Sequence, residues 1–379
     1  MGVTGIERKD HMSAATEDHA GHPRHTPFMT ETSPSSPLKS DHAPSTSWSR
    51  IVARYREPRP ARSLLEIAVT AFPLVGLWTA AWLAVGHGYW WALLLTVPAA
   101  AFVVRLFMIQ HDAGHGSLFR ARALNDWIGR LIGVFTLTPY ADWRFAHGVH
   151  HASAGNLDQR GLGAVDMLTV DEYAALPPVR RLLYRLYRHP LVLFGLGPAY
   201  VFLVRQRLPA KLSGGGVGAW VGVMGANLAT VLFIAGGVWL FGPLAFLCVW
   251  LPTMVLAATL GVWLFYVQHQ FEGVFWARQP QWHPHTAALH GSSYYDLPPL
   301  ARWFTANIGV HHVHHLNSRI PFYRLSEVLR DFPQLKTIGR LTVAESLATA
   351  PLALWDAHRG RLVSFREARG LREVGANEN

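Results

Sequence analysis

One stretch of this sequence constrains the fold more than any other. Between Leu212 and Phe271 the chain contains no Lys, Arg, Asp or Glu. As a single α-helix this run would be about 90 Å long at roughly 1.5 Å per residue, whereas the hydrocarbon core of a bilayer is about 30 Å thick. The chain must therefore reverse, and Gly242-Pro243 is the obvious turn, because Gly adopts turn dihedrals and Pro cannot continue a helix.

A second pair of apolar segments comes earlier in the chain and is divided by the turn sequence His87-Gly88-Tyr89. Only 15% of the residues are charged, against about 25% in ordinary soluble domains. Despite the net charge of +10, this pattern argues against a soluble enzyme and against nucleic-acid binding. It predicts an all-α integral membrane protein with four transmembrane helices in two hairpins, with spans at about 64–86, 90–110, 217–241 and 244–267.

The basic residues predict the orientation, because cytoplasmic loops retain Lys and Arg in excess. Five arginines lie at 50–62, directly before the first span, and many more lie in 111–211, whereas neither hairpin turn is charged. We therefore expect both termini in the cytoplasm, with a cytoplasmic helical cap formed by 111–211 and 268–379. Residues 1–48 are polar and lack apolar periodicity, which predicts a disordered tail followed by a single membrane domain, 49–379.

Histidines recur at helical spacing near the predicted span ends. Residues at i, i+3 and i+4 share one helix face, so the imidazoles in each of the motifs HDAGH, HGVHH and HHVHH can reach a common ion, and one more histidine follows the fourth span. The predicted metal ligands are His111, His115, His147, His150, His151, His269, His311, His314 and His315. His312 points about 100° away from His311, so we expect it to orient a ligand or to pack.

Nine imidazoles are too many for one ion, because a transition metal rarely takes more than six ligands. We therefore expect a dinuclear centre held by nitrogen, and neutral imidazole suits Fe, Zn, Cu and Ni. Ligand histidines usually donate their second N–H to a carboxylate or carbonyl. The candidates for that supporting role are Asp112, Asp158, Glu272, Asp296 and Asn307.

The sequence around these motifs resembles that of the membrane-bound fatty acid desaturases, in particular bacterial acyl desaturases of the omega-6 (delta-12) type. The similarity covers HDAGHGSLF from His111, WRFAHGVHHASAGNLDQRG from Trp143, QHQFEGVFW from Gln268 and NIGVHHVHHLNSRIPFYRL from Asn307. The resemblance implies two non-haem irons on the nine histidines, O2 as co-substrate, formation of a cis double bond in a fatty acyl chain, and location in the bacterial inner membrane with a cytoplasmic active site.

Hydrogen removal from an unactivated methylene requires a metal–oxygen oxidant, with the protein supplying position and exclusion of water. The substrate is expected to be a membrane lipid or acyl thioester, close to residues such as Phe107, Trp143 and Phe271. Cys248 is the only cysteine, which excludes an internal iron–sulfur cluster held by thiolates. Two electrons must then come from an external donor, which the resemblance suggests is ferredoxin or another small redox protein.

Two other functions stay open on sequence alone. A lipid or carotenoid hydroxylase or ketolase uses the same di-iron site, and histidine spacing cannot separate oxygen insertion from desaturation. A non-catalytic membrane electron carrier would ligate haem between histidines within the spans, whereas the histidines here are predicted to lie outside them.

Overall fold

The computed structural model describes residues 47–160, 165–209 and 216–370. Except for its last two residues, the predicted N-terminal tail lies outside this part of the chain. The described residues are mostly helical. The α-helices are α1 Ser47–Val52, α2 Pro60–Gly86, α3 Thr96–His115, α4 Arg122–Phe135, α5 Tyr140–Ser153, α6 Val170–Ala175, α7 Pro178–Tyr187, α8 Gly197–Leu203, α9 Val217–Phe241, α10 Pro243–His269, α11 Pro284–His290, α12 Pro299–Phe304, α13 His311–Leu316, α14 Phe322–Asp331 and α15 Val343–Ala348. Shorter helical turns are Ala53–Tyr55, Trp90–Leu95, Val192–Leu196, Arg205–Arg207 and Pro333–Thr337.

Four helical segments are long and apolar enough to cross a membrane, as the sequence predicts. They are Pro60–Gly86, Trp90–His115, Val217–Phe241 and Pro243–His269. The second continues to His115 and the fourth to His269, beyond the predicted span ends at 110 and 267, because a helix can continue past the last apolar residue into polar sequence. This continuation places histidines on the final turns of α3 and α10.

The segment containing α3 is the central one. Of its most apolar 18-residue stretch, 56% is buried inside the protein, whereas the corresponding share for Val217–Phe241 is 17%. It packs against α2 and α10, and α10 packs in turn against α9. Between α9 and α10, Gly242 has a φ of 77°, a conformation that favours glycine, so the predicted break in the charge-free run is confirmed.

Two small sheets accompany the helices, so the expectation of an all-α protein was too narrow. The strands are β1 Leu168–Thr169, β2 Tyr294–Asp296, β3 Arg340–Thr342, β4 Leu352–Asp356 and β5 Arg361–Ser364. One sheet has the order β1-β4-β5 and the other pairs β2 with β3 in parallel. These strands are two to five residues long, which leaves too little alternating pattern to recognise, and β1 and β2 pair with strands that are distant in sequence.

Neighbouring glycines on α9 provide a test of the packing between α9 and α10. A Cβ at Gly237 would lie 2.0 Å from Cε2 of Phe246, whereas a Cβ at Gly236 would have nothing within 4 Å. Phe246 is fully buried and its ring centroid lies 5.1 Å from that of Trp82, so its ring has little room to move. We expect Gly237→Ala to destabilise the protein by about 1–3 kcal/mol.

The matched control is Gly236→Ala, which should be neutral or stabilising by up to about 1 kcal/mol, because Ala is the better helix former. Thermal unfolding of both variants in detergent would measure the difference. Equal unfolding midpoints would contradict the α9–α10 packing described here.

Candidate metal centre

The histidine motifs lie on four helices that end or cross at one place. His111 and His115 occupy the last turns of α3, the HGVHH motif lies on α5, the HHVHH motif lies on α13, and His269 ends α10. Gly116 ends α3 with a φ of 69°, which turns the chain away immediately after His115. The predicted sharing of one helix face is observed for His111 and His115, whose ring centroids lie 4.6 Å apart.

The nine histidines form two groups of side chains that can each hold a metal ion. Within each group, one ring nitrogen of every member lies within 4.8 Å of the corresponding nitrogen of every other member. The first group is His111, His115, His147, His151 and His314, and the second is His150, His269, His311 and His315. Both α5 and α13 contribute to both groups, because adjacent helical residues point about 100° apart.

The two groups are in direct contact. The ring centroids of His151 and His315, one from each group, lie 4.1 Å apart in a stacked arrangement. The arrangement therefore suits two metal ions held close to each other.

The nitrogen spacing fits octahedral coordination. In the first group, His147 Nε2 lies 3.0 Å from His115 Nε2 and 3.1 Å from His151 Nε2. In the second group, His269 Nε2 lies 3.1 Å from His150 Nε2 and 3.0 Å from His311 Nε2. Adjacent ligands about 2.1 Å from an ion would be about 3.0 Å apart in an octahedron. Both groups therefore fit a divalent transition metal such as iron, for which imidazole is a suitable ligand.

Burial keeps the imidazoles in the form that binds metal. Desolvation, reinforced by the neighbouring imidazoles, lowers the pKa of each histidine on α5 and α13 in the two groups well below the usual value. These rings are therefore neutral at neutral pH, and a neutral ring offers a nitrogen lone pair.

Hydrogen bonds made by the second ring nitrogen fix the orientation of some of the imidazoles. His269 Nδ1 lies 3.1 Å from the carbonyl oxygen of Gly291, so Nδ1 donates its hydrogen and the bare Nε2 faces the second group. His312 Nε2 lies instead 2.9 Å from the carbonyl oxygen of Leu335. His312 is fully buried and belongs to neither group, so it has the packing position that its helical angle predicts.

Of the five predicted supporting residues, Asp112 lies beside a ligand candidate, with Oδ1 3.5 Å from His111 Nδ1. The others are placed elsewhere. Asp158 pairs with Arg278, and Asp296 with Arg302 and Arg340. Asn307 donates to the carbonyl oxygen of Phe322, and Glu272 is exposed. For these four, proximity in sequence to a histidine motif did not translate into a hydrogen bond to one.

Aromatic side chains cover the rings. Trp143 stacks on His147 with centroids 4.8 Å apart, and Phe107 packs edge-on to Trp143 at 5.3 Å. Phe265, which the sequence analysis missed, lies 5.0 Å from His150 and 5.3 Å from His269. Its position four residues before His269 on α10 was the available signal, because i and i+4 share a helix face.

The class of protein is therefore a membrane protein with a candidate metal centre, because four helices are apolar enough to cross a bilayer and two histidine groups can each hold a metal ion. Comparison with known proteins identifies the family. The family model described as fatty acid desaturase matches residues 88–340, which include all nine histidines. The chain therefore belongs to the fatty acid desaturase family, whose members are oxidoreductases.

Similar proteins agree with that assignment. A fatty acid desaturase of Bacillus subtilis is 42% identical over 83% of this chain and 89% of its own length. An sn-1 oleoyl-lipid 12-desaturase of Anabaena variabilis is 27% identical over 65% of this chain and 73% of its own. An sn-1 acyl-lipid omega-3 desaturase (ferredoxin) of Synechocystis is 29% identical over 58% of this chain and 61% of its own.

Two nearby histidines on α13 test the grouping. We expect His314→Ala to lower the metal content by about one ion per chain, because the first group loses a ligand. His312→Ala, which removes a buried ring outside both groups, should retain the wild-type content. Elemental analysis of the purified variants measures both values, and equal losses from the two would contradict the assignment of ligands.

Proposed function

We propose that this protein is a membrane-bound acyl desaturase that introduces a cis double bond into a fatty acyl chain. It would do so with two non-haem irons, O2 as co-substrate and two electrons from an external carrier. The observation that carries the proposal is the convergence of nine imidazoles into two touching groups within the part of the chain that the family model matches.

The histidines would hold one iron in each group. When bound, the irons would supply the oxidising power, with O2, to remove hydrogen from an unactivated methylene. The side chains around them position the acyl chain and exclude water. Phe265 and Trp143 are suited to that role, since they place apolar rings against both groups. The relatives named as acyl-lipid desaturases support a lipid-bound acyl chain as substrate.

The proposed topology has two hairpins, with both termini and the metal centre in the cytoplasm and the helices in a bacterial inner membrane. An even number of spans returns both termini to one side. The arginines before the first span and in 111–211 support the cytoplasmic side. The histidines on the final turns of α3 and α10 would then also be cytoplasmic, since both helices end on the side where the first span begins.

The electron donor is proposed to be a small acidic redox protein, ferredoxin or another carrier. A cleft lined by Arg56, Arg120 and Arg319, with Glu57 at its side, has Gly116 in its wall. Gly116 directly follows His115, so this cleft is one residue from a metal ligand candidate. A basic cleft attracts an acidic partner and speeds their encounter, and this position would bring the partner close to the first group.

The reaction is tested by the mass of the product. Expression in a host without polyunsaturated lipids should yield acyl chains two mass units lighter than their precursor. A gain of sixteen units would indicate a hydroxylase with the same metal centre instead. Gas chromatography with mass spectrometry of the extracted fatty acids makes the distinction, and the His314→Ala variant should give neither product.

The donor cleft is tested by reversing its charge. We expect Arg56→Glu with Arg319→Glu to slow electron transfer from an acidic ferredoxin at least several-fold at low salt, and the difference should shrink as salt screens the charges. Arg180→Glu, on the exposed face of α7 and outside the cleft, is the control and should transfer electrons normally. Stopped-flow reduction at several ionic strengths measures the rates, and identical salt dependence in all three proteins would contradict this docking site.

A further inference from the structure

A buried arginine lies within an apolar membrane segment. Arg105 is on α3, inside the segment Trp90–His115, and is 1% exposed. A charged group in a transmembrane segment is costly and usually marks a function. Two helical turns further along α3 lies Asp112, also 1% exposed. Seven residues bring a side chain back close to the same helix face.

The guanidinium of Arg105 joins three elements. It pairs with the carboxylate of Glu66 on α2, and its Nε donates to Thr70 Oγ1 at 3.2 Å. It also donates to the backbone oxygen of Trp303 and lies 3.9 Å from the centroid of that indole ring. Arg105 therefore ties α12, which contains Trp303, to α3 and α2.

Asp112 makes a corresponding connection from α3 to the segment that follows the third histidine motif. Its Oδ2 accepts a hydrogen bond from the backbone N–H of Phe322 at 2.7 Å, while its Oδ1 lies 3.5 Å from His111 Nδ1. Phe322 is the first residue of α14. The ring of Phe322 is in turn 5.5 Å from the Arg105 guanidinium, so the two attachments are parts of one cluster.

Trp303 and Phe322 flank the third histidine motif on its two sides. Helix α13 between them has only six residues, which is far too short to be stable alone. Its position must therefore be determined by its neighbours. Because α13 supplies His314 to the first group and His311 and His315 to the second, a shift of this short helix would disturb both groups at once.

We propose that Arg105 and Asp112 are positioning residues that clamp both flanks of α13 onto α3 and so hold the third histidine motif in register with the first. This inference rests on the proposed function, since the register matters only where the two groups bind metal. Metal sites lose affinity when their supporting residues leave ligands about 1 Å too loose.

The test uses Co²⁺ binding to the full-length protein in detergent, stripped of metal with a chelator. One variant combines Arg105→Met with Glu66→Gln, so that no buried charge is left unpaired. Two others are Asp112→Leu, which loses both contacts, and Asp112→Asn, which keeps one hydrogen-bonding acceptor. The control is Arg361→Met with Glu367→Gln, which removes an Arg–Glu pair at 3.5 Å between β5 and the residues that follow it.

We expect the Arg105/Glu66 and Asp112→Leu proteins to bind Co²⁺ about 10- to 100-fold more weakly, with shifted d–d absorption bands. Asp112→Asn should recover part of the affinity, and the control should match the wild type. If the Arg105/Glu66 protein does not purify as a monodisperse species, the comparison of Asp112→Leu with Asp112→Asn decides the question alone.

Wild-type Co²⁺ affinity and spectrum in variants whose thermal stability falls would overturn the clamp, because the two residues would then serve stability only. That result would leave the proposed function intact. A wild-type protein that binds no Co²⁺ would overturn the proposed function itself, and the clamp with it.

Discussion

The structure depends on the convergence of neutral imidazole lone pairs at two neighbouring points. Each ring must be buried to stay unprotonated, yet each nitrogen must face other nitrogens 3.0–3.2 Å away. Such closely spaced lone pairs stabilise the fold little unless an ion lies between them. The helices that deliver the rings are consequently fixed relative to one another. The centre is therefore both the chemical site and a major constraint on how the membrane helices meet the elements beyond them.

The central helix α3 links the membrane part to the metal centre. Its apolar turns pack against α2 and α10, and its last turns carry His111 and His115. From the same helix, Arg105 and Asp112 contact the segments on either side of α13. A helix that continues past the apolar span is a rigid support, which suits a site whose ligands must be held accurately. Short helices such as α13 can then supply ligands without being stable on their own.

The sequence predicted the parts of this arrangement that depend on local pattern. Missing charges revealed the four membrane helices, and the i, i+3, i+4 spacing identified the histidines that meet. The division into groups of five and four was not predictable, because it depends on how α5 and α13 cross α3 and α10. The pairing of β1 with β4 and the ring contacts of Phe265 similarly depend on chain segments distant in sequence. Asp296 and Asn307 show the same limit, since their partners proved to be other residues.

The central claim is the proposal that imidazoles are the protein ligands of two irons. X-ray absorption at the iron edge of the purified protein, kept reduced and free of oxygen, tests it most directly. The account predicts a first shell of nitrogen or oxygen at about 2.1 Å, with the outer-shell scattering of several imidazole rings. A sulfur shell, the multiple scattering of a porphyrin, or an absence of iron would contradict it.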